Sequence, residues 1–472
     1  MTSRSARAQD RVDRLAAWWA GAWRWVLIAM GAAVAITVLL GSNKALTTQS
    51  ASGVTMAVVV ALLAIGAALT AARPLAIALM AMPALFVVQR IGGGGSTLTV
   101  SDAALAAAFG TAVLLGTRPF SRELRALLWL NAIYQFATLI TVLVNPYVQN
   151  TVEWFHAWLL ISGALVVGWA LGRAGHAGLA FKLMVATGCA LAAITIVAGL
   201  VKFAHGDFTG VYPPWPYPMH KNFAGTAMAF AALIVYVNPP WAALTRRWAR
   251  ISLTVLVIGV LFTQSRQAII GLIIAVVIVA WRGRTTGHSR WVLLLLIPAT
   301  WLVILTVSDQ VQSQNKFNSF FQRLNWVREV YAYWKHSPIF GHGLRFWYVD
   351  PILPYQPPQG ELEVLAESGV VGLAAFVLMW VGVLIVLWRM DPLYGALAVT
   401  AVASRIVQAQ FDLFWVAAQV SIPFVIAGIC VGAKALADAN TAAAGRAAGL
   451  DFRMRAGPPI QHAVSQPRRA AR

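Results

Sequence analysis

Apolar residues fall in long runs along this chain, separated by short polar or basic punctuation. Runs suited to membrane spans lie at about 24–40, 52–70, 74–90, 101–117, 126–144, 154–171, 181–201 and 220–237. Others follow at about 250–281, 291–307, 363–388, 393–410 and 413–435. Runs near 20 residues match a hydrocarbon slab of about 30 Å. The pattern predicts an all-α polytopic membrane protein with about 12–14 transmembrane helices. Many runs are rich in Ala and Gly, the residues that let helices approach closely in lipid.

Residues 253–281 form the longest run, and TQSRQ at 263–267 interrupts it. A guanidinium at mid-bilayer is costly. Arg246, Arg247 and Arg250 precede the run, and Arg282, Arg284 and Arg290 follow it. Basic flanks favour the cytoplasmic side, so both ends belong there. Two short passes of about 15 residues each, turning near Thr263–Gln267, satisfy both constraints, with tilt or local thinning of the bilayer. Arg266 then sits at the outer face. The alternative is one long helix whose arginine snorkels.

The same reasoning orients the rest. Basic clusters at Arg73, Arg118/Arg122/Arg125, Arg173/Lys182 and Arg389 mark further cytoplasmic loops. Both termini come out inside, with about 14 crossings. Residues 1–23 are polar and basic, a cytoplasmic lead into the first span rather than a cleaved signal. Residues 436–472 read as a basic, disordered cytoplasmic tail near anionic lipid. Between them, 24–435 is one transmembrane domain. The segment 308–362 is a long extracytoplasmic loop containing an amphipathic helix, with Phe320, Leu324, Val327 and Tyr331 on its apolar face and Pro338 beyond its end.

Composition agrees. Of 472 residues, 59% are hydrophobic and 11% charged. The net charge of +20 is better assigned to loops facing anionic lipid than to nucleic acid, which is not an expected partner. Cys189 and Cys430 lie inside apolar runs and suggest neither a disulfide nor a metal site. Six of the 16 acidic residues fall between Asp309 and Glu367. The Gly-rich IGGGGSTLTV at 91–100 lacks the lysine of a nucleotide-binding loop.

Three motifs, TQSRQAIIG at 263–271, FQRLNWVREVYAYWKHSPIFGHG at 321–343 and ELEVLAESGVVGL at 361–373, stand with MHKNFAG at 219–225. Together they resemble the O-antigen ligase and polymerase superfamily of bacterial membrane glycosyltransferases, with core motifs over about 200–375. The resemblance implies a plasma-membrane enzyme with an extracytoplasmic site. Its donor would be a glycan on a polyprenyl diphosphate such as undecaprenyl diphosphate. Its acceptor would be a saccharide or a lipid or other envelope molecule. Neither metal, nucleotide sugar nor any other cofactor is implied. Arg266 and Arg323 match the family's arginines expected to face the diphosphate. The family's His-Asn pair has no counterpart: Pro358 and Gln359 stand in its place. His342, Glu361 or Glu363 then takes the catalytic role, or the acceptor chemistry differs, or activity is lost.

The residue types suit this chemistry. A guanidinium's forked donors match phosphate oxygens. Fixed cations on a departing diphosphate lower the barrier. Against this, each arginine could instead pair structurally with an acid or backbone carbonyls. Ser265 either donates to a phosphate or caps a turn. His342, between glycines, and Glu361 or Glu363, at the loop's return to the membrane, are candidate general bases. The plainer reading of the two acids is a solvated first helical turn. Glu367, deeper in the run, either pairs with an arginine such as Arg405 or Arg323 or only orients helices. His220, Lys221 and Asn222 follow VYPPWPYP, whose rings either stack on sugars or belong to the interfacial aromatic belt. A transporter or flippase of lipid-linked saccharide, or an inactive envelope-assembly protein, are the alternative functions.

Overall fold

The computed structural model describes residues 73–91, 98–215, 217–282, 301, 308, 319–349, 353, 355–357, 359–415 and 417–455; side chains of 319–324 and 447–455 are not described. The expected spans 24–40, 52–70 and 291–307 lie outside these residues.

Among the described residues the chain is helical, and its sole β pairing is an isolated bridge between Arg90 and Thr99. The helices are α1 (Ala76–Ala84), α2 (Val100–Leu115), α3 (Arg122–Val144), α4 (Val148–Trp158), α5 (Ala164–Arg173), α6 (Ala177–Ala204), α7 (Lys221–Val237), α8 (Arg246–Thr263), α9 (Arg266–Arg282), α10 (Ser319–Trp334), α11 (Gly360–Arg389), α12 (Pro392–Ala409) and α13 (Ala417–Arg455). Among the described residues, five stretches are long and apolar enough to cross a membrane: Arg122–Val144, Val148–Arg173, Ala177–Ala204, Gly360–Arg389 and Ala417–Arg446. The second joins α4 to α5 through one π turn at Leu159–Gly163. Such turns recur at functional sites. The expected span 74–90 is instead the nine-residue α1. Pro83 lies near its end, and the chain then turns to pair Arg90 with Thr99. The last helix continues past the expected end at 435 to Arg455.

The interruption at TQSRQ is a hairpin. Gln264, in a left-handed conformation, ends α8, and α9 begins two residues later. Just before α8, the Trp241 indole donates to Leu393 O (2.9 Å). At the end of α9, Arg282 donates to Trp388 O (2.6 Å) and Met390 O (2.8 Å). Both outer ends of the pair therefore meet the α11–α12 junction. The turn meets the opposite end of the bundle, where Gln264 donates to Phe208 O (2.7 Å) and Phe262 O accepts from Val211 N–H (3.0 Å). The passes have 18 and 17 residues, somewhat longer than expected.

Helices α5 and α13 approach closely, and glycine spacing permits it. Gly168 and Gly172 face Gly428 and Gly432, with an added Cβ at Gly168 only 3.0 Å from Gly428 Cα and 2.2 Å from Val425 O. Small residues four apart allow such approach without help from the hydrophobic effect. Gly168→Val is expected to lower stability by about 3 kcal/mol, at the upper end for overpacking. Gly110→Ala is expected to be neutral, since an added Cβ there meets nothing within 4 Å. Thermal unfolding in one detergent measures both.

Candidate functional site

Helix α11 is broken inside its apolar run. Gly369 adopts φ 63°, ψ −162°, which frees backbone groups from the helical ladder. In a bilayer such groups must find partners within the protein. The segment Pro338–Gly343 supplies them. His342 N–H donates to Ala366 O (3.0 Å) and Gly343 N–H to Glu367 O (2.9 Å). In return Val370 N–H donates to Pro338 O (3.0 Å). Gly341 (φ 67°) lies so close that a Cβ would be 2.3 Å from the Glu367 carbonyl. The PIFGHG and LAESG motifs are thus one backbone-paired unit.

Beyond it, the chain is fastened by buried charges. Arg345 N–H donates to Glu367 Oε1 (2.9 Å), and its guanidinium Nε pairs with Glu153. His156 Nδ1 faces Glu153 Oε2 (3.1 Å) and an Arg345 amino nitrogen (3.2 Å). His156 Nε2 meets Asp102 Oδ1 (3.0 Å). Asn150 Oδ1 accepts from Leu344 N–H (2.9 Å) and Tyr147 OH donates to Leu344 O (2.9 Å). Helices α2 and α4 thereby grip the stretch after the glycines. None of Asp102, Glu153, His156 or Arg345 is among the sequence candidates. The available signal was a Glu and a His three apart at the head of an apolar run.

The expected partner for Glu367 was an arginine side chain. Glu367 Oε1 instead takes the Arg345 backbone N–H, and Oε2 has no hydrogen-bond partner among the described residues. Arg405 is buried at Gln419 (3.1 Å) and at the carbonyls of Leu413 (2.8 Å) and Phe414. Those carbonyls end up unpaired because the chain turns there, and the guanidinium supplies their donors. The face of α10 is also corrected. Val330 and Tyr333 are buried with Phe346 and Leu353, while Val327 and Tyr331 are exposed. Docking onto the Gly341 segment, rather than onto lipid, sets that rotation. Phe320, Leu324 and the Arg323 side chain lie outside the described side chains.

A second cluster forms at the α8–α9 turn. Arg266, half-buried, opens α9, and Lys221, half-buried, opens α7. Arg266 and Lys202 are both charged neighbours of Lys221. Ser265 is buried, and its hydroxyl has no hydrogen-bond partner among the described residues. His220 is exposed and caps α7, its Nδ1 accepting from Asn222 N–H (3.3 Å). Gln267 bridges outward: its amide donates to Thr226 Oγ1 (3.2 Å) and Asp412 Oδ2 (2.7 Å), and approaches Asn222 O (3.5 Å).

The turn that carries Asp412 also carries Gln410. Gln410 donates to Glu361 Oε1 (2.6 Å), and Gln359 donates to Gln410 Oε1 (3.1 Å) and Glu361 Oε2 (3.3 Å). The 410–412 turn therefore touches two sets of residues: Gln359 and Glu361 through Gln410, and Gln267, which neighbours Ser265 and Arg266 in the chain and approaches Asn222, through Asp412. Glu363 differs from its solvated reading. It is buried and accepts from Gln356 (2.6 Å) and Phe414 N–H (3.1 Å), because the 410–414 turn folds over it. His342 is packed: its Nε2 meets Tyr333 O (3.0 Å) and its ring stacks on Tyr333 at 3.9 Å.

The fold and this corner define a class: a helical polytopic membrane protein with polar clusters gathered at one end and a broken helix held by a paired loop. Residues 251–377 match the family model described as O-antigen ligase, which supports assignment of the chain to the O-antigen ligase superfamily. The matched segment includes Arg266, the 338–343 loop and the Gly369 break. A comparison with curated proteins gives no match.

Proposed function

We propose that the protein transfers a glycan from a polyprenyl diphosphate to a saccharide or envelope acceptor at the outer face of the plasma membrane. The observation that carries this reading is that two cations stand at the α8–α9 turn: a Cβ on Gly210 would meet both Thr263 O (2.6 Å) and Lys221 Nζ (3.2 Å), and Arg266 opens α9 three residues after Thr263. Two neighbouring cations in a partly desolvated corner suit a diphosphate, whose charge grows as the sugar leaves. Basic residues at the opposite end support the orientation. Arg246, Arg247 and Arg282 cluster where α8 begins and α9 ends, and basic loops stay cytoplasmic.

The acceptor hydroxyl attacks the anomeric carbon, the carbon–oxygen bond to the diphosphate breaks, and the configuration inverts. Of the three candidate bases, Glu361 is the half-buried carboxylate at this corner, oriented by Gln359 and Gln410. Glu363 is enclosed and His342 is committed to a carbonyl. Glu361 therefore takes the proton. The donor lipid enters laterally between helices.

Purified protein reconstituted with a polyprenyl-diphosphate glycan and candidate acceptors tests this. New glycan–acceptor product without nucleotide sugar is the expected result. Movement of intact lipid-linked glycan across the bilayer with no product identifies a transporter instead. Glu361→Gln is expected to lower the turnover rate while leaving donor binding unchanged.

A further inference from the structure

We propose that Tyr212 is the platform on which the donor's first sugar stacks, which makes it a specificity-determining residue. The inference rests on the Arg266–Lys221 corner being the diphosphate site. Lys221 Nζ lies 5.9 Å from the centroid of the Tyr212 ring, and the His220 ring stands perpendicular to it at 5.4 Å between centroids. In a polyprenyl-diphosphate sugar, one bridging oxygen joins the anomeric carbon to phosphorus. A phosphate held by Lys221 and Arg266 therefore brings its first sugar next to the Tyr212 ring. The C–H face of a sugar carries partial positive charge, which an aromatic face attracts.

The ring is presented rather than packed away. Tyr212 is 54% exposed, although it lies between two anchored positions. Val211 N–H donates to Phe262 O (3.0 Å) in the last turn of α8, and Pro213 O accepts from Met219 N–H (2.9 Å). Pro213 and Pro214 fix φ on the following side. Lys202 adds a clamp on Thr209 Oγ1 (2.6 Å) and Gly210 O (3.2 Å). A belt tyrosine needs only interfacial depth. It needs neither a stiffened backbone nor a cation beside its ring. A pre-set ring recognises a sugar without first losing conformational freedom.

The test measures binding to the full-length protein in lipid nanodiscs. Its two ligands are bare polyprenyl diphosphate and the same lipid carrying one N-acetylhexosamine. Tyr212→Ala is expected to weaken the sugar-bearing lipid about fivefold, the size of one aromatic contact, and to leave the bare lipid unchanged. Tyr212→Phe is expected to bind both as the parent does. Equal effects of Tyr212→Ala on the two lipids, or no effect on either, overturn the platform. Arg266→Ala separates the two readings. If it weakens both lipids while Tyr212→Ala is inert, the platform alone fails. If it weakens neither, the diphosphate site fails and the platform with it.

Discussion

Arg266→Ala is expected to reduce glycan transfer by about a hundredfold to a thousandfold while the protein accumulates and unfolds as the parent does. That range is the usual loss when one pre-oriented donor to developing charge is removed from a water-poor site. Arg266 opens α9 two residues after the left-handed Gln264, so the hairpin fixes the backbone from which the guanidinium extends. Fold retention is expected because the turn is held by other contacts, among them Gln264 to Phe208 O and Gln267 to Asp412. Arg266→Lys is expected to recover part of the rate, since the charge returns without the forked geometry. Initial rates with saturating donor, alongside thermal unfolding of the same preparations, give both quantities.

Arg345→Ala is expected to cost about 3–5 kcal/mol of stability, the range for removing one partner from a buried ion pair. The guanidinium pairs with Glu153 and touches His156, and both sit among buried neighbours. Its loss leaves Glu153 with His156 as its remaining side-chain partner among the described residues. The Arg345 backbone N–H survives the substitution, so the bond to Glu367 Oε1 is kept. A falling unfolding midpoint with early proteolysis between 338 and 349 is the expected signature. An unchanged midpoint would mean that the cluster does not hold this stretch.

The hairpin at 263–267 was legible because two independent cues agreed: a polar break in the run and basic residues at both ends. Residues of the polar corner were legible for different reasons. Arg266 is a charge inside an apolar run, whereas Lys221 and Glu361 stand at loop ends, where a charge is ordinary and only the motif resemblance singled them out. The Asp102–His156–Glu153–Arg345 cluster was not legible as a unit. Its members come from α2, α4 and the stretch after Gly343, and their pairing is purely tertiary. Glu153 looks like a loop residue beside a span until Arg345 arrives from 192 positions later. Face assignment on α10 failed by rotation. Its sequence offers apolar residues on most sides, and only the Gly341–Glu367 pairing selects Val330 and Tyr333 for burial. The break at Gly369 was hidden too, since one glycine in an apolar helix usually marks packing and not an interruption.

The most direct measurement is side-specific labelling of single cysteines. Gln264→Cys and Arg247→Cys sit at opposite ends of α8, in a chain whose Cys189 and Cys430 are replaced by alanine. A membrane-impermeant maleimide added to intact cells is expected to label position 264 and spare position 247 until the membrane is permeabilised. Labelling of 247 but not 264 in intact cells would put the Arg266–Lys221 corner in the cytosol and contradict the proposed function.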